Sequence, residues 1–583
     1  MVSLDQLHHS AVAEVGTWIK ESIPRAVELR PDDLGHWSNL EPTAGWLLPL
    51  EGGGSLVLVL NRNFPYSEPK FFIRERPDLI EGPHIEGGGK ICLTGDIGRV
   101  DARRPVDIVR HSYSEALSLL KSNQAGANDA DYIEDFAAYW LRGIPRRFKT
   151  LIEPGAPSRL VVCWRAKTFT LVAETKELAL RFLANMYGDK ERNLDVAVAI
   201  WMAPLPSPSE YPSSVQDLRA LISRSSPDGL NLVDKVLTTS DDPIAVVLMG
   251  IPPRGRSVVA GVLIEPRIEP AGPGRKVQDP LHKGFRTGRV PAEVLAPRLQ
   301  LSRHVADRID GARTRRPAHL GEPAFSLKAV CLIGAGSLGS GLAKLLLQSG
   351  VGSVALVDPQ TLSWDNIERH ELGADSVSQY KAKELAAVLR KRFPLALNVT
   401  GHAADWRDVL RKTPSVVADA DLVISTCGDW NAESALNDTH RSGLLRGPVV
   451  YGWLEDYALA AHAVAISAQG ACFRCGFIPT GEHLLPATRS PRNTEPGCGG
   501  GISLYGAIDM APGQAMIAAL SLDLLAGNAT APVYRASLRP QSALVAADAD
   551  WEPRWLSRYG PPPIGGTIIA GKWPQGDNCS CRS

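Results

Sequence analysis

Two stretches of this 583-residue chain carry the residue types that acyl-group chemistry needs. One, VCLIGAGSLGSGLAKLLLQSGVGSVALVDPQTLSWDNIERH from Val330 to His370, joins a glycine-rich turn to an acidic strand end and a cationic cluster. The other, GPHIEGGGKICL from Gly82 to Leu93, holds Cys92 between Ile91 and Leu93. A site that activates a carboxylate and a thiol that can receive the acyl group suggest activation followed by thioester transfer in one polypeptide.

In the first stretch the apolar run Lys328–Ile333 leads into Gly334, Gly336 and Gly339, and Leu338–Gln348 has helical spacing. A second strand, Ser353–Val357, ends on Asp358. Glycines allow a tight turn and close phosphate approach, a helix N-terminus favours negative charge, and a strand-end acid can bind ribose hydroxyls. This pattern does not choose between a dinucleotide and ATP. Asn366, Arg369 and Lys381 follow, and such a cationic cluster suits adenylation, where charge develops on the α-phosphate as pyrophosphate leaves.

The nine cysteines are an odd number scattered along the chain, which argues for reactive thiols or metal ligands over a disulfide framework. Cys163, Cys331 and Cys427 sit in or beside apolar strand-like runs and are expected to be inert core thiols. Cys92, Cys472, Cys475, Cys498, Cys579 and Cys581 lie among Gly, Pro and polar residues, where reactivity or ligation is open to them. Cys498 occupies a Gly-rich loop before a small-residue helix, from which a thiol can swing to an acyl-adenylate. Cys472 and Cys475 form a CxxC knuckle, and Cys579 and Cys581 a terminal CxC; together they could close a tetrahedral structural zinc site, the alternative being a reduced, metal-free tail.

These residues must be positioned by several cores, because 583 residues exceed one hydrophobic core. Residues 1–150 read as a small α+β unit, with an amphipathic helix over Leu4–Lys20 and strands GWLLPL, GSLVLVL and KFFIRE before the Cys92 loop. Residues 151–325 read as an α/β linker domain without a chemical motif, ending in a Pro-, Gly- and Arg-rich connector over 267–325. Residues 326–583 read as a Rossmann-like α/β domain with a Pro-rich tail. Lys+Arg and Asp+Glu both total 63, and this balance gives no support to nucleic-acid or membrane-surface binding. No apolar run reaches membrane-spanning length and no signal is seen at the N-terminus, so a cytoplasmic protein is expected.

From Leu327 to about Asn528 the chain resembles the ThiF/MoeB/ubiquitin-activating superfamily, without a gap from Asp358 to His370. The resemblance implies that Asp358, Asn366, Arg369 and Lys381 contact ATP, and that Cys498 corresponds to the crossover-loop cysteine preceding a helix with a QA pair, here Gln514-Ala515. It also implies a magnesium-linked aspartate; Asp429 is the candidate, although ungapped alignment puts Gly428 at that position. An arginine from before the glycine loop is implied as well, with Arg313, Arg315 and Arg316 open. The family's usual second CxxC pair is replaced here by the distant CxC. A homodimer is expected from this resemblance.

Residues 1–145 resemble ubiquitin-conjugating enzymes, in which an aromatic-Pro segment and a His-Pro-Asn motif precede Ile-Cys-Leu. Here Gly82-Pro83-His84 stands in place of that motif, so His84 takes the position of the asparagine that supports isopeptide formation. An imidazole can donate to an oxyanion. The order of parts resembles bacterial fused activating–conjugating proteins, including those of CBASS antiphage operons. It implies ATP-dependent adenylation of the C-terminal carboxylate of a small protein, either ubiquitin-like or a nucleotidyltransferase. Capture on Cys498, transfer to Cys92 and conjugation to a target amine would follow, with ATP, Mg2+ and structural zinc as cofactors. The competing readings are a sulfur-carrier adenylyltransferase, a nucleotide-binding adaptor with a non-catalytic first domain, and an NAD-dependent oxidoreductase.

Overall fold

A computed structural model describes residues 3–80, 82–93, 101–140, 147–266, 290–310, 325–478, 481–489, 505–573, 579 and 581. Cys498, Arg313, Arg315 and Arg316 lie outside the described residues. The chain divides into two compact units: Met1–Lys176 with Asn193–Arg308, and Glu177–Arg192 with Ile309–Ser583.

The first unit begins with a helix, Leu4–Ser22, whose N-terminus is closed by reciprocal bonds between Ser3 and Gln6. Its Ala11, Val15 and Ile19, spaced by four, are buried against an antiparallel sheet. That sheet is a meander of β1 (Val27–Glu28), β2 (Pro42–Pro49), β3 (Ser55–Asn61) and β4 (Lys70–Arg74). β3 is apolar on both faces because both are covered: Leu56, Leu58 and Leu60 join the core with the helix, while Val57 and Val59 pack with Phe72.

The same unit contains a closed barrel, in the order β10-β11-β5-β7-β6-β8-β9. Its strands are β5 (Arg147–Leu151), β6 (Arg159–Arg165), β7 (Phe169–Ala173), β8 (Asp195–Trp201), β9 (Ile244–Gly250), β10 (Val258–Pro266) and β11 (Leu299–Arg308). β11 corrects the expectation of a connector running from 267 to 325. It pairs antiparallel with β10 and parallel with β5, and so closes the barrel. The expected strands over 158–266 are present, but ring closure leaves no sheet edge there, which linear patterning does not convey.

In the second unit an eight-stranded sheet runs β14-β13-β12-β15-β16-β17-β19-β21. Its parallel part comprises β12 (Ala329–Ile333), β13 (Ser353–Val357), β14 (Asn398–His402), β15 (Leu422–Ser425) and β16 (Val449–Leu454). Antiparallel strands β17 (Ala460–Ile466), β19 (Val533–Leu538) and β21 (Thr567–Gly571) extend it, and β18 (Thr488–Arg489) pairs separately with β20 (Asp550–Trp551). The helix Ser337–Gln348 covers one face, with Leu338, Leu342 and Leu346 in the core.

The helix Ala507–Ala526 is long and apolar enough to cross a membrane, contrary to the expectation that no run has that length. Half of its apolar window is buried inside the second unit. Met516, Ile517, Leu520 and Leu525 enter the same core as Leu342 and Leu346, so its all-round apolarity matches a helix packed on more than one side.

Candidate functional site

Cys92 follows a short return of the chain beside β4. The Ile91 amide donates to the Phe71 carbonyl at 2.8 Å, and the Cys92 amide donates to the His84 carbonyl at 2.7 Å. Ile85 and Ile91 face each other across this bridge and are buried, while the Cys92 residue is exposed. The buried isoleucines anchor the backbone and the thiol is left to solvent, which a nucleophile requires.

His84 has a positive φ of 59°, unusual for a residue with a side chain. Two contacts hold it there. Its amide donates to the Tyr139 hydroxyl at 2.7 Å, and its Nε2 lies 3.1 Å from Asp131 Oδ2. Tyr139 belongs to the helix Phe136–Trp140, whose Phe136 and Trp140 are buried with the barrel residues; Trp140 Nε1 donates to the His304 carbonyl at 3.0 Å. The barrel therefore braces the loop that carries His84. Asp131 and Tyr139 escaped the sequence reading because the contact spans 47 and 55 residues and no motif marks it.

The residues expected to bind a nucleotide gather at the carboxyl ends of the parallel strands, where open α/β sheets bind ligands. Gly334 leaves β12 with φ of 92°, and a Cβ there would stand 2.8 Å from the Cys427 nitrogen. Gly336 is the N-cap of the helix Ser337–Gln348. A Cβ on Gly339 would lie 1.9 Å from the Gly334 carbonyl oxygen, so only glycine lets this helix close on the turn.

Asp358 is buried and ties the turn to the neighbouring strand end. Its carboxylate accepts from the Ala335 amide and the Gln360 amide, each at 2.8 Å. His370 fixes the other side of Ala335, its Nε2 donating to the Ala335 carbonyl at 2.7 Å while Nδ1 accepts from the Leu372 amide at 3.0 Å. Burial lowers the His370 pKa, which favours this neutral tautomer. The sequence reading passed over His370, which closed the quoted stretch without an assigned role.

Asn366, Arg369 and Lys381 line an open cleft of about 590 Å³ together with Gln360, Ser363 and Asp365. Asn366 Oδ1 accepts from the Ser363 hydroxyl at 3.1 Å, which holds the turn Trp364–Arg369. Arg369 stacks over the Tyr505 ring at 4.9 Å, and its Nε is buried without a hydrogen-bond partner among the described residues. Lys381 opens the helix Lys381–Arg392, where the helix field disfavours a cation. Burial and then Arg369 lower its pKa, Asp358 opposing them, and Nζ donates to Gln360 Oε1 at 2.9 Å. Two cations and an unpaired donor at a polar cleft match an anionic ligand such as a polyphosphate.

Asp429 is exposed and caps the helix Trp430–Arg441, its Oδ1 accepting from the Ala432 amide at 2.7 Å. Behind it, Glu433 is buried and accepts from the Ser425 hydroxyl at 2.8 Å; burial pushes its pKa up to about 7. Cys427 is exposed as a residue because β15 ends at Ser425 and the chain has left the sheet, so it is not a core thiol; its sulfur nonetheless lies 3.8 Å from Glu433 Oε1, and burial pushes its pKa up to about 11, which keeps it inert.

The CxxC and the terminal CxC meet although more than a hundred residues separate them. Cys472 and Cys579 sulfurs are 3.5 Å apart, Cys475 and Cys581 3.3 Å, and Cys472 and Cys475 3.8 Å. All four ligand atoms lie within 4.8 Å of one another, a set that fits a tetrahedral zinc ion. Burial leads the causes that raise the Cys475 pKa; burial opposes ionisation of Cys581 too, but hydrogen bonds led by that with Cys475 bring it down to about 7.

The stems flanking 490–504 are firmly held. Glu455 accepts from the Ala487 amide at 2.6 Å and from the Thr488 amide and hydroxyl at 2.8 and 2.6 Å. On the far side Asp509 accepts from the Gly506 amide at 2.7 Å and pairs with Arg539 at 2.7 Å. Gln514 then joins that helix to the nucleotide turn, its Nε2 donating to the Ser337 carbonyl at 3.0 Å.

Comparison with known proteins identifies two family domains. Residues 323–537 match the ThiF family, and residues 25–148 match prokaryotic E2 family B. The chain is 29% identical over 150 residues to the SAMP-activating enzyme E1 of Haloferax volcanii, covering 25% of this chain and 53% of that protein. It is 30% identical over 148 residues to the sulfur carrier protein ThiS adenylyltransferase of Bacillus subtilis, covering 25% and 42%. It is 28% identical over 163 residues to the ATP-dependent ubiquitin transferase-like protein Cap2 of Enterobacter hormaechei, covering 28% and 24%. The matches thus span about half or less of these relatives. Escherichia coli MccB with ATP aligns over 45% of this chain and 67% of its own, at 15% identity and a TM-score of 0.30.

Proposed function

From a chain that joins a prokaryotic E2 family B domain to a ThiF-family domain, we propose an ATP-dependent activating and conjugating enzyme for a small protein modifier. The observation that carries the reading is the coexistence of the exposed Cys92, on its anchored loop, with the cationic cleft of Arg369 and Lys381.

In the first step a carboxylate oxygen of the modifier's C-terminus attacks the α-phosphorus of ATP, and pyrophosphate leaves. Arg369 and Lys381 stabilise the charge that develops on phosphate oxygens. Asp358 holds the Ala335 turn and offers its carboxylate to the ribose, and Asn366 lines the same cleft. Asp429, exposed at the start of the helix Trp430–Arg441, is the residue that would hold Mg2+, which would supply charge neutralisation to the phosphates.

In the second step the Cys498 thiolate attacks the acyl carbon and AMP leaves. The Cys92 thiolate then takes the acyl group and frees Cys498. Finally a target amine attacks the Cys92 thioester, the thiol leaves, and the amine loses its proton. His84, whose Nε2 lies 3.1 Å from Asp131 Oδ2, would donate to the oxyanion from its other ring nitrogen when both nitrogens carry protons. The four thiols Cys472, Cys475, Cys579 and Cys581 would hold structural zinc. The reading sets the reaction in the cytoplasm, with a homodimer as the working form and antiphage defence as its context.

The similarity to the sulfur carrier protein ThiS adenylyltransferase favours a second reading, in which adenylation serves sulfur transfer and Cys92 is not charged. The adenylation step common to both is tested by ATP–pyrophosphate exchange with small proteins encoded beside this gene. Exchange that needs the modifier and is lost in Arg369→Ala supports the step. Exchange unaffected by Arg369→Ala would remove the cleft from the reaction.

A further inference from the structure

A cluster at the inner strands β16 and β17 of the second unit's sheet combines metal-ligating side chains with buried nitrogen atoms that lack a hydrogen-bond partner among the described residues. Glu455 directly follows β16, His462 lies within β17, and His483 precedes the Thr488 stem. Their ligand atoms lie within 4.8 Å of one another. Neither ring nitrogen of His483 has a hydrogen-bond partner among the described residues, and both are buried. Trp453, Phe477 and Trp573 surround that ring at centroid distances of 5.3, 5.3 and 5.7 Å. Aromatic walls offer no partner to an imidazole lone pair, so its burial calls for one.

We propose that Glu455, His462 and His483 bind a divalent zinc-class ion, at a site separate from the four cysteines. Two imidazoles and one carboxylate are a borderline donor set that suits zinc, leaving one position to a water molecule. Ligand atoms on one zinc stand about 3.3 Å apart, so the cluster needs only small approaches to close. His462 Nε2 already lies 2.8 Å from Glu455 Oε1.

The surrounding bonds orient these ligands as outer partners of a metal do. With Nε2 on the ion, His462 Nδ1 carries its proton toward the Tyr534 hydroxyl, 2.6 Å away. The Ala487 and Thr488 amides, which donate to the Glu455 carboxylate, remain in place. The ion would tie β16 and β17 to the segment that leads toward Cys498, through ligands that thiol oxidation does not touch. The site stands whether or not acyl transfer is the reaction.

The test is metal analysis of the full chain as purified, beside Cys472→Ser/Cys475→Ser and His483→Phe. His483→Phe keeps the aromatic packing and should lose one equivalent of zinc that the cysteine variant retains. Unchanged zinc in a folded His483→Phe would overturn the proposal. Cobalt loading of Cys472→Ser/Cys475→Ser gives a readout that does not depend on the His483 variant folding. Cobalt visible bands without thiolate charge transfer, abolished by adding Glu455→Gln, are expected; failure of Cys472→Ser/Cys475→Ser to take up cobalt, or bands that survive Glu455→Gln, would overturn the site.

Discussion

The Cys92 amide donates to the His84 carbonyl at 2.7 Å, so the exposed thiol and the imidazole share one hydrogen-bonded turn. The imidazole side of that turn is braced by Asp131 and Tyr139. In the proposed reaction two events separate: charging would need the thiol, whereas aminolysis would also need a donor near the acyl oxygen.

His84→Ala should therefore leave the thioester at Cys92 within about twofold of wild type and slow its discharge to amine by about 10²-fold. Asp131→Asn should slow discharge less, because it alters only the support of the ring. Single-turnover discharge of preformed thioester measures both. Equal loss of charging and discharge would contradict the separation.

Arg369 lines the cleft, its buried Nε has no hydrogen-bond partner among the described residues, and Lys381 is a cation at a helix start. Arg369→Ala and Lys381→Ala should each cut pyrophosphate exchange by about 10²- to 10³-fold while thermal unfolding changes little. Lys381→Ala removes a cation whose burial is unfavourable, so its melting temperature should not fall. Calorimetry beside the exchange assay checks both halves.

Gly339→Ala places a Cβ 1.9 Å from the Gly334 oxygen, a clash with backbone that no side-chain rotation relieves. It should destabilise the second unit by about 2 kcal/mol or more and abolish nucleotide binding. Denaturant unfolding of the full chain measures it, and a wild-type-like midpoint would contradict the packing.

His370, His402 and His440 all have pKa values lowered, in each case chiefly by burial. The unfolded chain takes up protons at these rings before the folded chain does. Stability is thus fully present above the ordinary histidine pKa of about 6.5 and falls as pH drops through it. Thermal midpoints should decline from pH 7 to pH 5; a flat profile would contradict these assignments.

Against burial, hydrogen bonds led by that with Cys475 lower the Cys581 pKa, whereas Cys475 is raised chiefly by burial. After metal chelation at neutral pH, iodoacetamide should modify Cys581 before Cys475, as thiolates react and thiols do not. Mass spectrometry of a time course reads the order, and equal rates would contradict it.

The glycine turn was legible because its spacing is local: strand, turn and helix follow in sequence, and Gly334 and Gly339 each answer a nearby steric demand, although Gly336 does not. The Cys92 frame was legible for the same reason, Ile91 being buried beside an exposed thiol. What stayed hidden came from distant pairing. β11, LQLSRHVADR, carries four charged or histidine side chains and lies after a Pro-rich stretch, so only its pairing with β10 and β5 reveals a barrel strand. His370 and Asp131 act through single hydrogen bonds to residues far along the chain, which no motif records.

The central claim is a relay that ends on Cys92. Magnesium-ATP and neighbouring-gene small proteins are incubated with wild type, Cys498→Ala and Cys92→Ala, and adducts are read on non-reducing gels with and without thiol. The account predicts an ATP-dependent, thiol-sensitive adduct on Cys92 that disappears in Cys498→Ala. Charging of Cys92 that survives Cys498→Ala under saturating ATP would contradict the relay.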